Sequence, residues 1–517
     1  LKFKDLLIGI GTMNNSVKRN GLVDCAGKIF YNNALHDSVS DARIPVINPA
    51  TEQQISEIAS PAEQEIDHVL IIANAAQKKW ANTDAKTRAA YLHKIADSIE
   101  RANHQSVAEA MSLEMGKPYP EALGEIANVG PIFRYMAEMA RDDGGHIAGT
   151  TQIGSFQYCR YEPLGVSVHI MPFNFPILLF AWTAAASLAC GNAFVMKPAE
   201  ATSISSLMFM DHFKVLPEGL AACLTGNASV GSHLVASDMT HAVAFTGSVA
   251  VGRKVNIACA DAMKPAVIEA GGNDAMIIAE SADIEIAAAG STCAAFHLSG
   301  QVCTSAERFF VVDAIHDEFV EAFARHTKAL RIDHGLGKAE IGPVVNMAAR
   351  DRIKNLVEKT IAQGAKVICG GKIPVGFDKG AYYEPTILVD VTPDMDIMNC
   401  EVFGPVAAIC RVKDVDEAIA KANDTAFGLG ACIFTSDFKE ATKASEQLQT
   451  GMVWVNNPMI DNDALPFGGA KMSGLGRELG REGLNVFRQS KMVIQDAAPS
   501  MHDWWYPYQD SVFHPDA

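Results

Sequence analysis

The chain contains no C-x-x-C pair, no basic stripe, no repeating glycine period and no uninterrupted apolar run long enough to span a bilayer. Eleven cysteines stand at 25, 159, 190, 223, 259, 293, 303, 369, 400, 410 and 432. Without paired spacing they indicate neither a zinc knuckle nor a redox pair, and no metal centre is expected. An odd number of thiols in so large a chain reads as reduced, mostly buried cysteine in a cytoplasmic protein. Forty-three basic residues against 60 acidic ones give a charge of −17, which excludes nucleic acid as the expected partner. The 40 glycines and 22 prolines have no period, and 49% of residues are apolar, which excludes collagen and disorder.

The stretch from Met171 to Met196 is the most membrane-like, but Pro172, Asn174, Pro176, Gly191 and Asn192 interrupt it. It reads as a buried loop, a core helix and a strand, so no membrane partner is expected. The apolar run Leu6 to Ile10 lacks the length and cleavage site of a signal peptide. The chain begins at Leu1 rather than Met, so a start further upstream is expected.

What is present is apolar content for two or three domains in 517 residues. Ile44 to Asn48 and Gln54 to Ala59 flank a Pro-Ala-Thr turn and read as a hairpin; Ala62 to Met111 carries helical periodicity. Ser155 to Glu162 and Val166 to Met171 have strand character. Helices at 178–189, 203–213, 230–236 and 249–260 then alternate with strands at 193–197, 221–224, 241–245 and 266–269. Such alternation means βαβ units and a parallel sheet. A second series places strands at 309–312, 366–369, 386–389, 407–412, 430–435 and 452–455, and another strand is expected at 487–493. The fold class is α/β.

Four short elements could carry chemistry. In Gly300-Gln301-Val302-Cys303-Thr304 a thiol at a helix start would be acidified by amide groups, although one cysteine in eleven is equally a packed thiol. Glu269 ends an apolar strand before Gly271-Gly272, where α/β folds place active sites; it could also cap the next element. Asn174 stands between Pro172 and Pro176, where its amide could donate to an oxyanion or merely satisfy loop backbone. Phe245-Thr246-Gly247-Ser248-Val249-Ala250-Val251-Gly252 could cradle a pyrophosphate on backbone amides. Its two glycines miss the usual dinucleotide spacing, and an ordinary βα turn explains it nearly as well.

Taken together, the chain resembles the aldehyde dehydrogenase superfamily from about residue 40 to 495. Lys197-Pro198-Ala199-Glu200, Glu384-Pro385-Thr386, Glu401-Val402-Phe403-Gly404-Pro405, Phe427-Gly428-Leu429, Pro466-Phe467-Gly468-Gly469 and the run Lys471 to Gly480 carry the likeness further. The resemblance implies a Rossmann-type cofactor domain, a second α/β catalytic domain and a small β oligomerisation element. The expected boundaries are an extension over 1–24, the NAD-binding domain over 25–150 and 163–270, and the catalytic domain over 271–470. The oligomerisation element falls at 151–162 and 484–500, with an aromatic tail over 501–517.

By resemblance, Cys303 is the nucleophile, Asn174 an oxyanion donor and Glu269 the general base. Lys197 holds the cofactor ribose; Ser248, Gly247, Val251 and Gly252 lie along its phosphates and adenosine side. Glu401 and Phe403 lie at the nicotinamide ribose, and Met171, Pro172 and Phe173 complete the cofactor wall. The thiolate adds to an aldehyde, hydride leaves for nicotinamide, and Glu269 deprotonates the water that hydrolyses the thioester. Relatives that acylate coenzyme A typically lack the glutamate, so a carboxylic acid is the expected product. The alternatives are such an acylating semialdehyde dehydrogenase, or a non-catalytic member of the fold. A carboxylate at Glu200 favours NAD over NADP by accepting from the ribose hydroxyls and repelling a 2′-phosphate.

The resemblance places Leu179, Trp182, His297, Val302, Asp461 and Phe467 around the small-molecule aldehyde. An acidic mouth at Asp461 and Asp463 favours cationic or hydroxylated aldehydes, whereas Arg134 near the entrance argues for carboxylated ones. The family carries leucine where Ala270 follows the base here. A homodimer or homotetramer is expected through Ser155 to Glu162 and Asn485 to Ile494, with Trp504, Trp505 and Tyr508 packed on a partner or left as a loose tail.

Overall fold

The computed structural model describes residues 20–502 and 504–508. The run Leu6 to Ile10, most of the 1–24 extension and the end of the 501–517 tail lie outside the described residues. The early strands are β1 (Lys28–Tyr31), β2 (Ala34–Asp37), β3 (Arg43–Ile47) and β4 (Gln54–Ala59). There follow β5 (Gly145–Ile147), β6 (Ser155–Pro163), β7 (Val166–Ile170), β8 (Ala193–Lys197), β9 (Ala221–Cys223), β10 (Ala242–Gly247) and β11 (Ala266–Ala270). The second half supplies β12 (Asp274–Ile278), β13 (Ala306–Val312), β14 (Lys366–Cys369), β15 (Thr386–Val389) and β16 (Val406–Val412). It ends with β17 (Gly430–Phe434), β18 (Met452–Val455), β19 (Gly474–Leu475) and β20 (Arg488–Asp496).

An eight-stranded sheet runs β19-β11-β10-β7-β8-β9-β1-β2 and a seven-stranded sheet runs β14-β15-β16-β13-β12-β17-β18. In the first, β7 to β11 pair in parallel, with Val168 opposite Val195 and Phe245 opposite Ile268. These strands are buried on both faces, as crossover helices require, and so read as continuous apolar runs. The helix Leu178–Cys190 illustrates the packing: almost every residue is buried, and Gly191 closes it in a left-handed conformation. Each buried Leu or Phe there contributes roughly 1.5–3 kcal/mol against exposure.

Strand order locates the site. From β7 the chain steps outward through β8 and β9, then returns to place β10 and β11 on the other side of β7. That reversal is a topological switch, and the crevice at the carboxyl ends of β7 and β10 is where open α/β sheets bind ligands. Met171 to Asn174 and Gly247-Ser248 leave those two ends. Directly after β11 the chain crosses at Gly271 to Asn273 into β12, a strand of the other sheet. Glu269 at the end of β11 and the Cys303 segment before β13 therefore belong to different sheets that meet at one place.

Some expectations need correction. The β1–β2 hairpin and β12 are absent from the sequence reading, and the 203–213 helix is α-helical only to Phe209, then tightens into 3₁₀ turns over Met210–Val215. Gly145–Ile147 pairs with β6, so it joins the three-stranded sheet β20-β6-β5 rather than the cofactor domain in which 25–150 placed it. β19, outside every expected domain, extends the first sheet beside β11. Among the described residues no helix is long and apolar enough to cross a membrane, and no cluster of three or more His, Cys, Asp or Glu is placed to hold a metal ion. All eleven cysteines are free thiols.

Candidate active site

The helix Ile284–Phe296 ends in an unusual turn: Leu298, Ser299 and Gly300 follow one another with φ of 51°, 55° and 73°. Left-handed leucine and serine each cost on the order of 1 kcal/mol or more, so other contacts must hold them. The Leu298 amide donates to Glu121 Oε2 at 3.1 Å, and the Ser299 hydroxyl to the Gly342 carbonyl at 2.8 Å. The buried Gln301 side chain donates to the Leu298 carbonyl at 3.2 Å and accepts from the Val345 amide at 2.9 Å. Gly300 must be glycine twice over, since an added Cβ would lie 2.1 Å from the Gly404 carbonyl oxygen.

This turn delivers Cys303 into the short bend before β13, not to a helix start as expected. The expected acidification is reversed as well. Burial first, then the charges of Glu269, Asp274, Glu401 and Asp461, hold the thiol well above its ordinary pKa. All four of these neighbours are acids.

Glu269 lies at the carboxyl end of β11, opposite Thr246 of β10, and only 2% of it is exposed. Burial and the neighbouring Glu478 and Glu401 raise its pKa well above the carboxylate range. Neither of its oxygens receives a well-formed hydrogen bond; the Cys303 thiol is the one group that pulls the acid down. The two glycines behind it make the approach fit. A Cβ on Gly272 would sit 2.4 Å from the Cys303 carbonyl oxygen, and one on Gly271 would sit 2.2 Å from the Glu401 carboxylate. The missing side chain of Gly272 lets the end of β11 approach the Cys303 bend, and that of Gly271 leaves room for Glu401.

Asn174, buried in the loop after β7, donates Nδ2 to the Gln301 carbonyl at 2.9 Å. A carboxamide nitrogen carries two hydrogens, so one fixes the side chain and the second remains to donate.

Around the switch crevice, the Met171 amide donates to the Lys197 carbonyl at 3.0 Å, tying the two strand ends together. Lys197 is 5% exposed, and its ammonium faces the Glu200 carboxylate at 3.6 Å; burial lowers its pKa. A buried ammonium with one long contact has donors to spare, which fits ribose hydroxyls. Ser248 caps the helix Val249–Asp261, and Ser248, Ala250 and Val251 are exposed at its first turn, open to phosphate. Gly247 and Gly252 keep that turn against the sheet: a Cβ would come 2.8 Å from Phe245 and 3.0 Å from Ile268, respectively. Pro172 and Phe173 are half-buried, and Phe173 meets Phe403 edge to face at 5.8 Å. Glu401 accepts from the Gly272 amide at 3.2 Å, and its carboxyl is pushed up to about 8, chiefly by burial. These residues fit a dinucleotide.

On the other side, Leu179, Trp182 and Val302 are buried, and Trp182 packs on Phe467 at 4.6 Å between centroids. His297 stacks on Phe175 at 6.3 Å and 17°. Asp461 stands on an exposed loop, where surrounding protein pushes its carboxyl up to about 6. Arg134 pairs with Asp97 and Glu100, which match its charge and weaken the argument for a carboxylated substrate.

The sequence pattern of the aldehyde dehydrogenase family matches residues 36–493. The chain belongs to the aldehyde dehydrogenase family. It is 37% identical over 470 residues to a betaine aldehyde dehydrogenase of Brucella anthropi, covering 90% of this chain and 96% of that protein. The fold superposes on the crystal structure of a Staphylococcus aureus betaine aldehyde dehydrogenase in complex with NAD+, with a TM-score of 0.90 and 28% identity over 95% of this chain and 99% of that one. An aldehyde dehydrogenase from Brucella melitensis biovar abortus 2308 gives 0.89 and 32%, covering 95% and 100%. The protein is thus a nicotinamide-dinucleotide-dependent aldehyde-oxidising enzyme.

Three residues of this aldehyde dehydrogenase escape the sequence reading. Glu478, buried just after β19 in the chain, is pushed up to about 8 by burial and raises Glu269 in turn. Glu307 accepts from the Val402 and Phe403 amides, both at 2.8 Å, and so fixes the loop that carries Glu401. Glu121 braces the turn before the nucleophile. Each lies far along the chain from what it supports; the only sequence signal was an acid inside an otherwise apolar or glycine-rich block.

Proposed function

We propose that this enzyme oxidises cationic aldehydes to carboxylic acids with NAD, through a thioester on Cys303. The observation that carries the reading is the meeting of Cys303, Glu269 and Asn174 at the contact of the two sheets. Cys303, its proton given up to water, adds its sulfur to the aldehyde carbon. The free N–H of Asn174 and the Cys303 amide receive the developing oxyanion. When bound, the dinucleotide supplies the hydride acceptor. Lys197 and Glu200 orient its ribose, and Ser248 with the helix start holds its phosphates. Glu269, ionised, then deprotonates the water that cleaves the thioester and releases the acid. A base poised at the nucleophile is what disfavours transfer to coenzyme A.

NAD is the cofactor because the Glu200 carboxylate stands 3.6 Å from the ribose-side lysine, where a 2′-phosphate would meet like charge. For the substrate, Asp461 lies close enough to act electrostatically on Cys303, and Trp182, Phe467, Phe175 and His297 supply aromatic faces. A carboxylate with aromatic faces suits an ammonium group. The relatives named for betaine aldehyde support the same class. The test is reduced-nicotinamide formation at 340 nm over neutral, carboxylated, amino- and trimethylammonium aldehydes with NAD and NADP. Highest kcat/KM for the cations with NAD is expected; a preference for carboxylated aldehydes would overturn the substrate class.

The same reading includes a homodimer or homotetramer in the cytoplasm. β20 pairs with β6 along its full length, and Phe156, Met492 and Ile494 are exposed on that sheet, as is Trp504 in the tail. Such edges and apolar faces favour a second copy, and free thiols fit a reducing compartment.

A further inference from the structure

Two carboxylates one turn apart on the helix Tyr119–Ala127 reach the two catalytic segments. Glu121 Oε2 accepts from the Leu298 amide at 3.1 Å, in the strained turn before Cys303. Glu125 Oε1 accepts from the Ile177 and Leu178 amides at 2.8 and 3.1 Å, just beyond the Asn174 loop. Side chains at i and i+4 share one face of a helix, so a single rigid element holds both segments. The loop cannot supply this acceptor itself. Ile177, which opens the helix Leu178–Cys190, has no side-chain atom that could cap it.

Lys117 completes the arrangement. Its ammonium pairs with Glu125 Oε2, both side chains fully buried, and lies 4.0 Å from the ring centroid of Phe175, the neighbour of Asn174. Its main chain rests on the segment that braces the nucleophile turn. A Cβ on Gly342 would lie 2.1 Å from the Gly116 carbonyl oxygen, and one on Gly335 would lie 2.5 Å from that of Lys117. The Gly342 carbonyl is the one that accepts from Ser299. A buried ion pair adds little net stability, since well-packed apolar residues of similar size often serve as well. Both ends of this one engage residues that flank the oxyanion donor.

We propose that Glu125, with Lys117 as its counter-charge, is a positioning residue for the oxyanion site: it ties the end of the Asn174 loop to the helix that braces the Cys303 turn, and so keeps the free N–H of Asn174 in place against the reacting carbonyl. This rests on the oxyanion reading above. A displacement of about 1 Å at such a donor is enough to slow the chemistry.

The test is the first-turnover rate of reduced-nicotinamide formation, followed by stopped flow at 340 nm with NAD and the best aldehyde of the panel. It compares Lys117→Met/Glu125→Leu, in which apolar side chains replace the pair and the two amides lose their acceptor, with Lys117→Met/Glu125→Gln, whose carboxamide oxygen can still accept from them. Each is made with Asn174 and with Asn174→Ala, and NAD binding by calorimetry reports that each is folded. The leucine variant is expected to be about tenfold slower with Asn174 and less than about twofold slower without it, because a donor already removed cannot be misplaced. The glutamine variant recovers most of the rate. Equal losses in both backgrounds, no loss with Asn174, or no recovery with glutamine overturns the positioning role. If the leucine variant does not fold, Glu125→Asp takes its place: it keeps the charge beside Lys117, draws the acceptor back from the amides, and is held to the same two-background comparison. Asn174→Ala as fast as the wild type overturns the oxyanion reading itself, and the positioning role with it.

Discussion

Asn174 and Gln301 join the two halves of the enzyme: the side-chain amide of the first, from the loop after β7, donates to the main-chain carbonyl of the second, two residues before the nucleophile, at 2.9 Å. On the proposed mechanism, the bond sets the oxyanion donor by reference to Cys303 itself. Any shift of one sheet against the other would misplace both together.

Removing that donor tests its role. Asn174→Ala is expected to lower kcat by about 10²–10³-fold, the usual loss for one oxyanion donor. Steady-state kinetics with a saturating cation aldehyde checks it. A loss seen only in KM would make the residue a substrate contact.

The buried carboxyls give a pH expectation with a definite sign. Glu269 works as a base only when ionised, and the neighbouring Glu478 raises its pKa. Glu478→Gln removes the like charge, lowers the Glu269 pKa and moves the acid limb of the kcat profile to lower pH. An unmoved limb would mean that Glu478 does not act on the base.

How much of this was legible beforehand depended on distance along the chain. The alternation from β7 to β11 was readable because each strand is a short apolar run followed by a helix. β12 was not, because only three residues separate it from β11 and nothing in Gly-Gly-Asn says that the chain changes sheets. Cys303, Glu269 and Asn174 stood out by local motif. The turn before Cys303 did not, since left-handed Leu298 and Ser299 are imposed by Glu121 and Gly342 rather than by their own preferences. The acidified thiol was misread for a related reason: its pKa is set first by burial and then by carboxylates from β11, β12, the 401 loop and the 461 loop, which only folding brings near. Arg134 was assigned to the entrance by position alone, and its partners on the neighbouring helix were invisible.

Cofactor choice rests on one side chain. Glu200→Gln keeps the hydrogen-bonding shape and removes the charge, so the NAD over NADP preference in kcat/KM is expected to shrink about tenfold, or about 1.4 kcal/mol. An unchanged preference would assign discrimination to another part of the crevice.

The central claim is that Cys303 carries the acyl group and Glu269 directs water to it. Rapid mixing of Glu269→Gln with NAD and a good aldehyde, followed at 340 nm, tests it most directly. The account expects a burst of about one reduced nicotinamide per active site, then a steady rate lowered about 10²–10⁴-fold as the thioester waits for water. Unchanged steady turnover, or a slow rate with no burst, would contradict it, the latter by placing Glu269 before hydride transfer rather than after it.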